Sequence, residues 1–163
     1  MTIRDTSAED AEAITFLVDA VARERRYLAS TAGFSLASTT AFLASIRAAN
    51  GVHVVAVADD GIVGWCDITP HHYEGMKHVG VLGMGVKGGC RGRGIGTRLL
   101  RAALGRAFSN GLERVELEVF RSNTAAVRLY ETNGFIPEGA RSRARKLDGV
   151  VDDVLLFAAF KPG

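Results

Sequence analysis

The sequence predicts an α+β fold in which helices pack on a mixed sheet. Apolar runs of strand length alternate with stretches whose apolar residues recur at helical spacing. Three of the helical stretches end on Asn-Gly (Asn50-Gly51, Asn110-Gly111 and Asn133-Gly134), a dipeptide that stops a helix by turning left-handed. The resulting order is β-α-α-β-β-β-α-β-α-β-β. It contains no repeat, linker or low-complexity segment, so residues 1–163 read as one domain. With 47% apolar and 23% charged side chains in 163 residues, the chain can bury a sizeable core and lacks the composition of a disordered segment.

Thr2 to Arg4 is a short strand. Ser7-Ala8-Glu9-Asp10 has the form of a capping box, with Asp10 in place of the usual Glu. It opens a helix that carries Ile14, Leu17, Val18, Val21 and Ala22 on one face and closes on Arg23-Glu24-Arg25-Arg26-Tyr27. Ser38 to Ala49 is a second helix. His53 to Ala58 and Ile62 to Thr69 flank the turn residues Asp59-Asp60-Gly61 and form a hairpin. Pro70 to Lys77 is a polar loop, and Val79 to Val86 is a strand rich in glycine. Ile95 to Ser109 is an amphipathic helix, Val115 to Phe120 an alternating strand, and Asn123 to Thr132 a helix. Phe135 to Lys146 is extended or irregular, and Val150 to Phe160 is the last strand.

A net charge of +2 does not argue for a nucleic-acid partner, while a pI near 8.7 is compatible with a small anionic ligand. Two cysteines, Cys66 and Cys90, are too few for a disulfide framework and point to a reducing cytoplasm. Met1 to Asp10 is polar and acidic, without the pattern of a signal peptide. No apolar run approaches the roughly 20 residues of a membrane span, so no membrane partner is expected. The four histidines and two cysteines lack the spacing of zinc ligands, and no metal is expected.

The densest chemical signal is Arg91-Gly92-Arg93-Gly94-Ile95-Gly96, set between a strand and a helix with Thr97 in its first turn. Glycines spaced two apart let successive N–H groups converge on one small space. The helix that follows adds unpaired N–H groups and the positive end of its dipole. Such a place binds an anion, a pyrophosphate above all. The Lys-Ser/Thr of a nucleoside-triphosphate loop is missing. Gly83-Met84-Gly85-Val86-Lys87-Gly88 fits a dinucleotide fingerprint on paper, yet it lies inside a strand with no helix opening at its third glycine. Arg98 and Arg101 lie further along the helix, on a face that is either solvated or within reach of a nucleotide phosphate. The second signal is Asn123 to Tyr130. Asn123 caps a helix, Tyr130 lies two turns on along the same face, and Ala126 between them leaves room for a ligand.

These two segments carry a resemblance. Arg91-x-x-Gly94-x-Gly96 resembles the pyrophosphate loop of the GNAT superfamily of acetyl-coenzyme A-dependent N-acetyltransferases. Asn123-x-x-Ala126-x-x-Leu129-Tyr130, followed by Gly134-Phe135, is similar to the family's second coenzyme segment, and the order of elements matches over essentially the whole chain. Asp148-Gly149-x-x-x-Asp153 looks like the branch that acetylates free amino acids and like relatives that modify protein amino termini, with Val151 where those often have an aromatic residue.

The resemblance implies a three-layer α/β arrangement with a mixed, mostly antiparallel sheet flanked by helices. It implies a cytoplasmic N-acetyltransferase that binds acetyl-coenzyme A and a small-molecule amine or peptide N-terminus in one ternary complex, and that forms a homodimer. Main-chain N–H groups from Gly92 through Arg93, Gly94, Ile95 and Gly96 to Thr97 would hold the pyrophosphate, with Arg91 opening the loop. Met84 and Val86 would bond the pantetheine arm and the acetyl oxygen through their main chain. Asn123, Ala126 and Tyr130 would line the coenzyme, and Tyr130 would serve as the acid for the departing thiolate.

No Glu lies on the strand Val79 to Val86, where the family often places a base. Asp67, Glu74, Glu116, Glu118, His71, His72 and His78 remain as candidates. An α-amine, with a pKa of about 8, costs only about 1.4 kcal/mol to present neutral at pH 7, against about 5 kcal/mol for a lysine amine, so lack of an evident base favours an α-amine acceptor. Arg23, Arg25, Arg26 and Tyr27 either meet an acceptor carboxylate or complement the helix dipole. A coenzyme A sensor without turnover, or an acetyltransferase for antibiotic- or herbicide-type amines, are the alternative readings. Neither Cys66 nor Cys90 has a histidine placed for covalent catalysis.

Overall fold

The structure, a computed structural model, describes residues 1–163. Its strands are β1 (Thr2–Asp5), β2 (Val52–Ala58), β3 (Gly61–Pro70), β4 (Val79–Val86), β5 (Arg114–Phe120), β6 (Ile136–Leu147) and β7 (Val150–Phe160). Its helices are α1 (Ala11–Arg23), α2 (Leu36–Ala48), α3 (Ile95–Ser109) and α4 (Thr124–Thr132). One seven-stranded sheet has the order β1-β2-β3-β4-β5-β7-β6, and only the β4–β5 pair is parallel. Short turns join β2 to β3 and β6 to β7, while α1 and α2 lie between β1 and β2. The parallel pair needs a crossover, and α3 supplies it. No helix is long and apolar enough to cross a membrane.

Several element ends have a local cause. α2 starts at Leu36 and not at Ser38, because the Ser35 hydroxyl accepts a hydrogen bond from Ser38 N at 3.1 Å and so caps the helix two residues earlier than the apolar pattern suggests. At the start of the chain, the Asp10 carboxylate accepts from Ser7 N at 2.8 Å, as a capping box requires. It also takes both guanidinium nitrogens of Arg4, which hold its carboxyl down at about 2. The stretch expected to be extended or irregular is strand β6, interrupted by register shifts at Pro137/Gly139 and Arg141/Arg145. At the second, Arg143 adopts φ 53° and its N–H is held by Asp153 at 2.8 Å.

The two faces of the sheet carry separate cores. On one face Val54, Cys66, Ile68, Leu82 and Leu117 pack against Leu99, Leu100 and Ala103 of α3 and against Tyr130 of α4. Leu99 and Leu100 have no exposed surface, and burial of each is worth about 2–3 kcal/mol. On the other face Val55 and Trp65 pack against Ile14, Leu17 and Val21 of α1 and Leu43 of α2.

What positions the site is a gap in the middle of the sheet. β4 and β5 pair only from Val79–Arg114 to Val81–Glu116. Beyond that, β4 continues beside β3 alone as far as Val86, and β5 continues beside β7 as far as Phe120. Lys87 N bonds to Val63 O at 2.8 Å. Antiparallel ladders alternate bonded and non-bonded pairs, so Gly85 and Gly83 turn their main-chain groups toward β3. Leu82, Met84 and Val86 turn theirs into the gap.

Candidate active site

A cavity of about 710 Å³ runs through this gap. It is lined by Met84 to Val86 on one side, Glu118 to Phe120 on the other, the loop ahead of α3, and the first two turns of α4. Gly85 lines it because it cannot be larger. A Cβ there would stand 2.3 Å from the Trp65 indole, which covers the strand from the α1 side. Packing against Trp65 thus requires glycine at this position.

The loop Cys90 to Gly94 turns twice through positive φ, at Gly92 (75°) and Gly94 (80°). No Cβ contact lies within 4 Å of either glycine, so backbone conformation alone demands them. Gly94 is the N-cap of α3 and offers no side-chain acceptor, which leaves the first N–H groups of the helix open. Gly96, Thr97, Met84 and Leu129 continue the wall. A Cβ on Gly96 would approach Leu129 to 3.3 Å and narrow the cavity there.

Arg91 turns its charge away from this loop. Its Nε donates to Val86 O at 2.9 Å, its NH1 and NH2 groups bond Glu24 at 2.8 and 2.7 Å, and its guanidinium lies 4.3 Å from the centre of the Tyr27 ring. Hydrogen bonding from Arg91 holds the Glu24 carboxyl below its usual range. A two-pronged pair of this kind, half-buried, contributes about 1 kcal/mol. Arg93 is exposed and outside the cavity wall. Arg98 donates to Met1 O and Arg101 to Asn133, so both lie on the solvated face of α3.

On α4, the Asn123 side chain accepts from Ala126 N at 3.3 Å, and its Nδ2 makes no bond within the chain. Tyr130 is 6% exposed and its ring packs 5.5 Å from that of Phe135. Its hydroxyl has no partner in the chain, and no fully buried polar atom lacks one, so the hydroxyl opens to the cavity. Burial pushes the phenol well above its ordinary pKa, with nearby Cys66 adding to the shift. Neither cysteine forms a disulfide, and no cluster of three metal-binding side chains exists.

The α1 end of the cavity is lined by Val21, Tyr27, Leu28, Phe120 and Val154, with Glu118 as its acid. Apart from Tyr27 and Glu118, these residues were not singled out in the sequence, because nothing local marks them. Arg128, exposed and without an ion pair, also borders the cavity and was missed, though it lies within the Asn123 to Tyr130 signal. Arg23 pairs with Asp19 and Arg25 with Asp148. Arg145 stacks 3.9 Å from the Phe120 ring centre and donates to the carbonyls of Arg25, Arg26 and Leu28, which pins the segment after α1 against β6.

Among the acids considered as bases, Glu118 pairs with Arg141. Glu116 is partly desolvated, but bonds from Arg114 and His71 outweigh this and hold its carboxyl low. Glu74 lies in a 3₁₀ turn, and Glu74, His72 and His78 are exposed. Asp67 differs: burial raises its carboxyl from the usual 3.8 to about 7.

The acetyltransferase (GNAT) family model matches residues 15–135. Mycothiol acetyltransferase of Thermobispora bispora is 35% identical over 119 residues, which cover 73% of this chain and 35% of that protein. The chain therefore spans about a third of the length of that relative. L-amino acid N-acetyltransferase of Escherichia coli is 29% identical over 110 residues, covering 66% of this chain and 67% of that protein. The crystal structure of an acetyltransferase of the GNAT family from Streptococcus pneumoniae superposes with a TM-score of 0.92 at 26% identity, covering 98% of this chain and 99% of that one.

Proposed function

The chain belongs to the acetyltransferase (GNAT) family, whose members use acetyl-coenzyme A, and from that premise we propose that it transfers an acetyl group to a primary amine, the α-amine of an amino acid first, in one complex with both substrates. The observation that carries this reading is the gap between β4 and β5, where a cavity is lined by the glycine loop with its open helix N–H groups at one end and by Tyr27 and Phe120 at the other.

The residues present fit the coenzyme. Positive φ at Gly92 and Gly94, and the uncapped start of α3, support an assignment of the N–H groups from Gly92 to Thr97 to its diphosphate. The main-chain groups of Met84 and the N–H of Val86 face the gap and suit a strand-like arm, while the Val86 carbonyl is held by Arg91. Ala126 and Asn123 form the opposite wall. When bound, the coenzyme supplies an activated thioester.

The chain's own part is to orient and to exchange protons. Val86 N–H, at the edge of the gap, is the donor assigned to the developing oxyanion, a task worth roughly 3–4 kcal/mol. Tyr130 stays protonated throughout the neutral range, and a thiol of pKa about 8.5 is more acidic than this buried phenol. Tyr130 therefore acts as a hydrogen-bond donor that shares its proton with the sulfur. The acceptor would occupy the α1 end, between Tyr27, Leu28 and Phe120. Its carboxylate, where it has one, would meet Arg26 or Arg128 and not Arg23 or Arg25, which are already ion-paired.

Two measurements on the purified protein test this. Calorimetric titration with acetyl-coenzyme A should give saturable binding. Thiol release should then be measured over a panel of free amino acids, dipeptides, polyamines, aminoglycosides and a phosphinothricin-type amine. Release above the hydrolytic background with at least one α-amine is expected. Release confined to polyamines or other side-chain amines would overturn the α-amine assignment.

A further inference from the structure

We infer that the carboxylate of Asp67 is the proton acceptor for the incoming amine. This deepens the acetyl-transfer reading and rests on it. Asp67 lies on β3 with Gly83 of β4 as its Cα partner. Gly83 falls in the stretch of β4 that has lost β5, and it lines the cavity. A Cβ on Gly83 would stand 3.3 Å from Asp67 Oδ2 and 3.4 Å from Oδ1. Both oxygens thus overhang Gly83, a cavity-lining position that has no side chain to come between them and the gap.

Asp67 also differs from the acids on the neighbouring elements, of which Glu118 alone lines the cavity. Glu24 is bound by Arg91, Glu118 by Arg141, and Glu116 by Arg114 and His71. Asp67 forms no ion pair and no hydrogen bond within the chain, although Trp65 stands close enough to favour its charged form. The groups facing it offer no cation. His53, its partner on β2, is bonded to Thr6 and driven by burial to about 4, so it is neutral. Glu116 and Glu118 of β5 already have their arginines. The inward residues of α1 and α2 include nothing titratable.

Deep in the fold yet reached by solvent, the carboxyl titrates at about 7, close to the working pH at which a general base is most effective. The step balances simply. The N–H bond of the substrate ammonium breaks and its electron pair stays on nitrogen. The proton forms an O–H bond at Asp67, directly or through one water, and leaves to solvent after turnover. Glu118, which borders the cavity, is already engaged by Arg141.

The test compares the wild type with D67N and D67E, using the best amine of the acceptor panel. Wild-type kcat/KM should rise through an ionisation near pH 7. D67N should lower it by roughly 10²–10⁴-fold and erase that ionisation. D67E should restore part of the rate, and calorimetric affinity for acetyl-coenzyme A should stay within about twofold in both. In the free protein, carbon-13 NMR of the aspartate carboxyls should show one resonance titrating near 7 that D67N removes. An unchanged pH profile in D67N, or a carboxyl titrating in the ordinary aspartate range, would overturn the role of Asp67 while acetyl transfer stands. Failure of the wild type to turn over any amine would overturn both.

Discussion

Replacing Asp67 by Asn should change how stability depends on pH, by an amount the structure allows one to work out. The wild-type carboxyl titrates at about 7 when folded and near its ordinary 3.8 when unfolded. Between those values the native state holds a proton that the unfolded chain releases. Stability is therefore complete below about pH 4 and falls as the pH climbs to about 7. Three units at 1.36 kcal/mol each make a loss of about 4 kcal/mol, a ceiling because solvent reaches the side chain. His53 acts in the opposite sense. Its folded value of about 4 lies below the ordinary 6.5, so its contribution is present above about 6.5 and lost on acidification. The two slopes largely cancel in the wild type between about pH 4 and 6.5, and only the difference between wild type and variant isolates Asp67. Urea unfolding at half-unit intervals from pH 4 to 8.5 measures it. The expected difference is flat below about 4, moves by up to about 4 kcal/mol in favour of Asn, and is flat again above about 7. A difference constant across the whole range would refute the reasoning.

Three further outcomes are expected. Tyr130→Phe should lower kcat about 10²–10³-fold, leave coenzyme affinity within about twofold and change stability by less than about 0.5 kcal/mol, because the hydroxyl has no partner in the chain; steady-state kinetics, calorimetry and thermal unfolding read the three. Gly94→Ala forces a side chain to φ 80° and should cost about 1 kcal/mol by thermal unfolding, with acetyl-coenzyme A affinity down at least about tenfold in calorimetry. Gly85→Ala drives a methyl into the Trp65 indole and should cost about 1–3 kcal/mol in urea. Because Trp65 is the sole tryptophan, its emission should shift with the displaced ring.

Local chemistry was legible in the sequence wherever it has a local cause. The start of α3 at Ile95, the cap at Asn123, and the run from Val150 to Phe160 follow from glycine, a capping amide and an apolar run broken only by Asp152-Asp153. Ser35 lies outside the pattern that sets the start of this helix at Ser38, and its capping role follows from the hydrogen bond it accepts from Ser38 N. Long-range partners were the other loss. Nothing near Arg91 announces Glu24, 67 positions earlier in the chain, so a guanidinium that seemed ready for phosphate is bound to an acid. The alternation of β3 assigns Asp67 a face. It does not say that the neighbouring strand presents glycine there, or that the strand beyond has already parted. That depends on where β4 and β5 cease to pair, a property of packing that no window of residues contains.

The hold of Arg91 on Glu24 and Tyr27 has one more effect. It fastens the segment ahead of α3 to the tail of α1, so the two mouths of the cavity share a brace. Loosening that brace, for instance with Arg91→Ala, should raise the apparent Michaelis constants of both substrates together. Kinetic defects at this residue therefore cannot be apportioned to one substrate or the other.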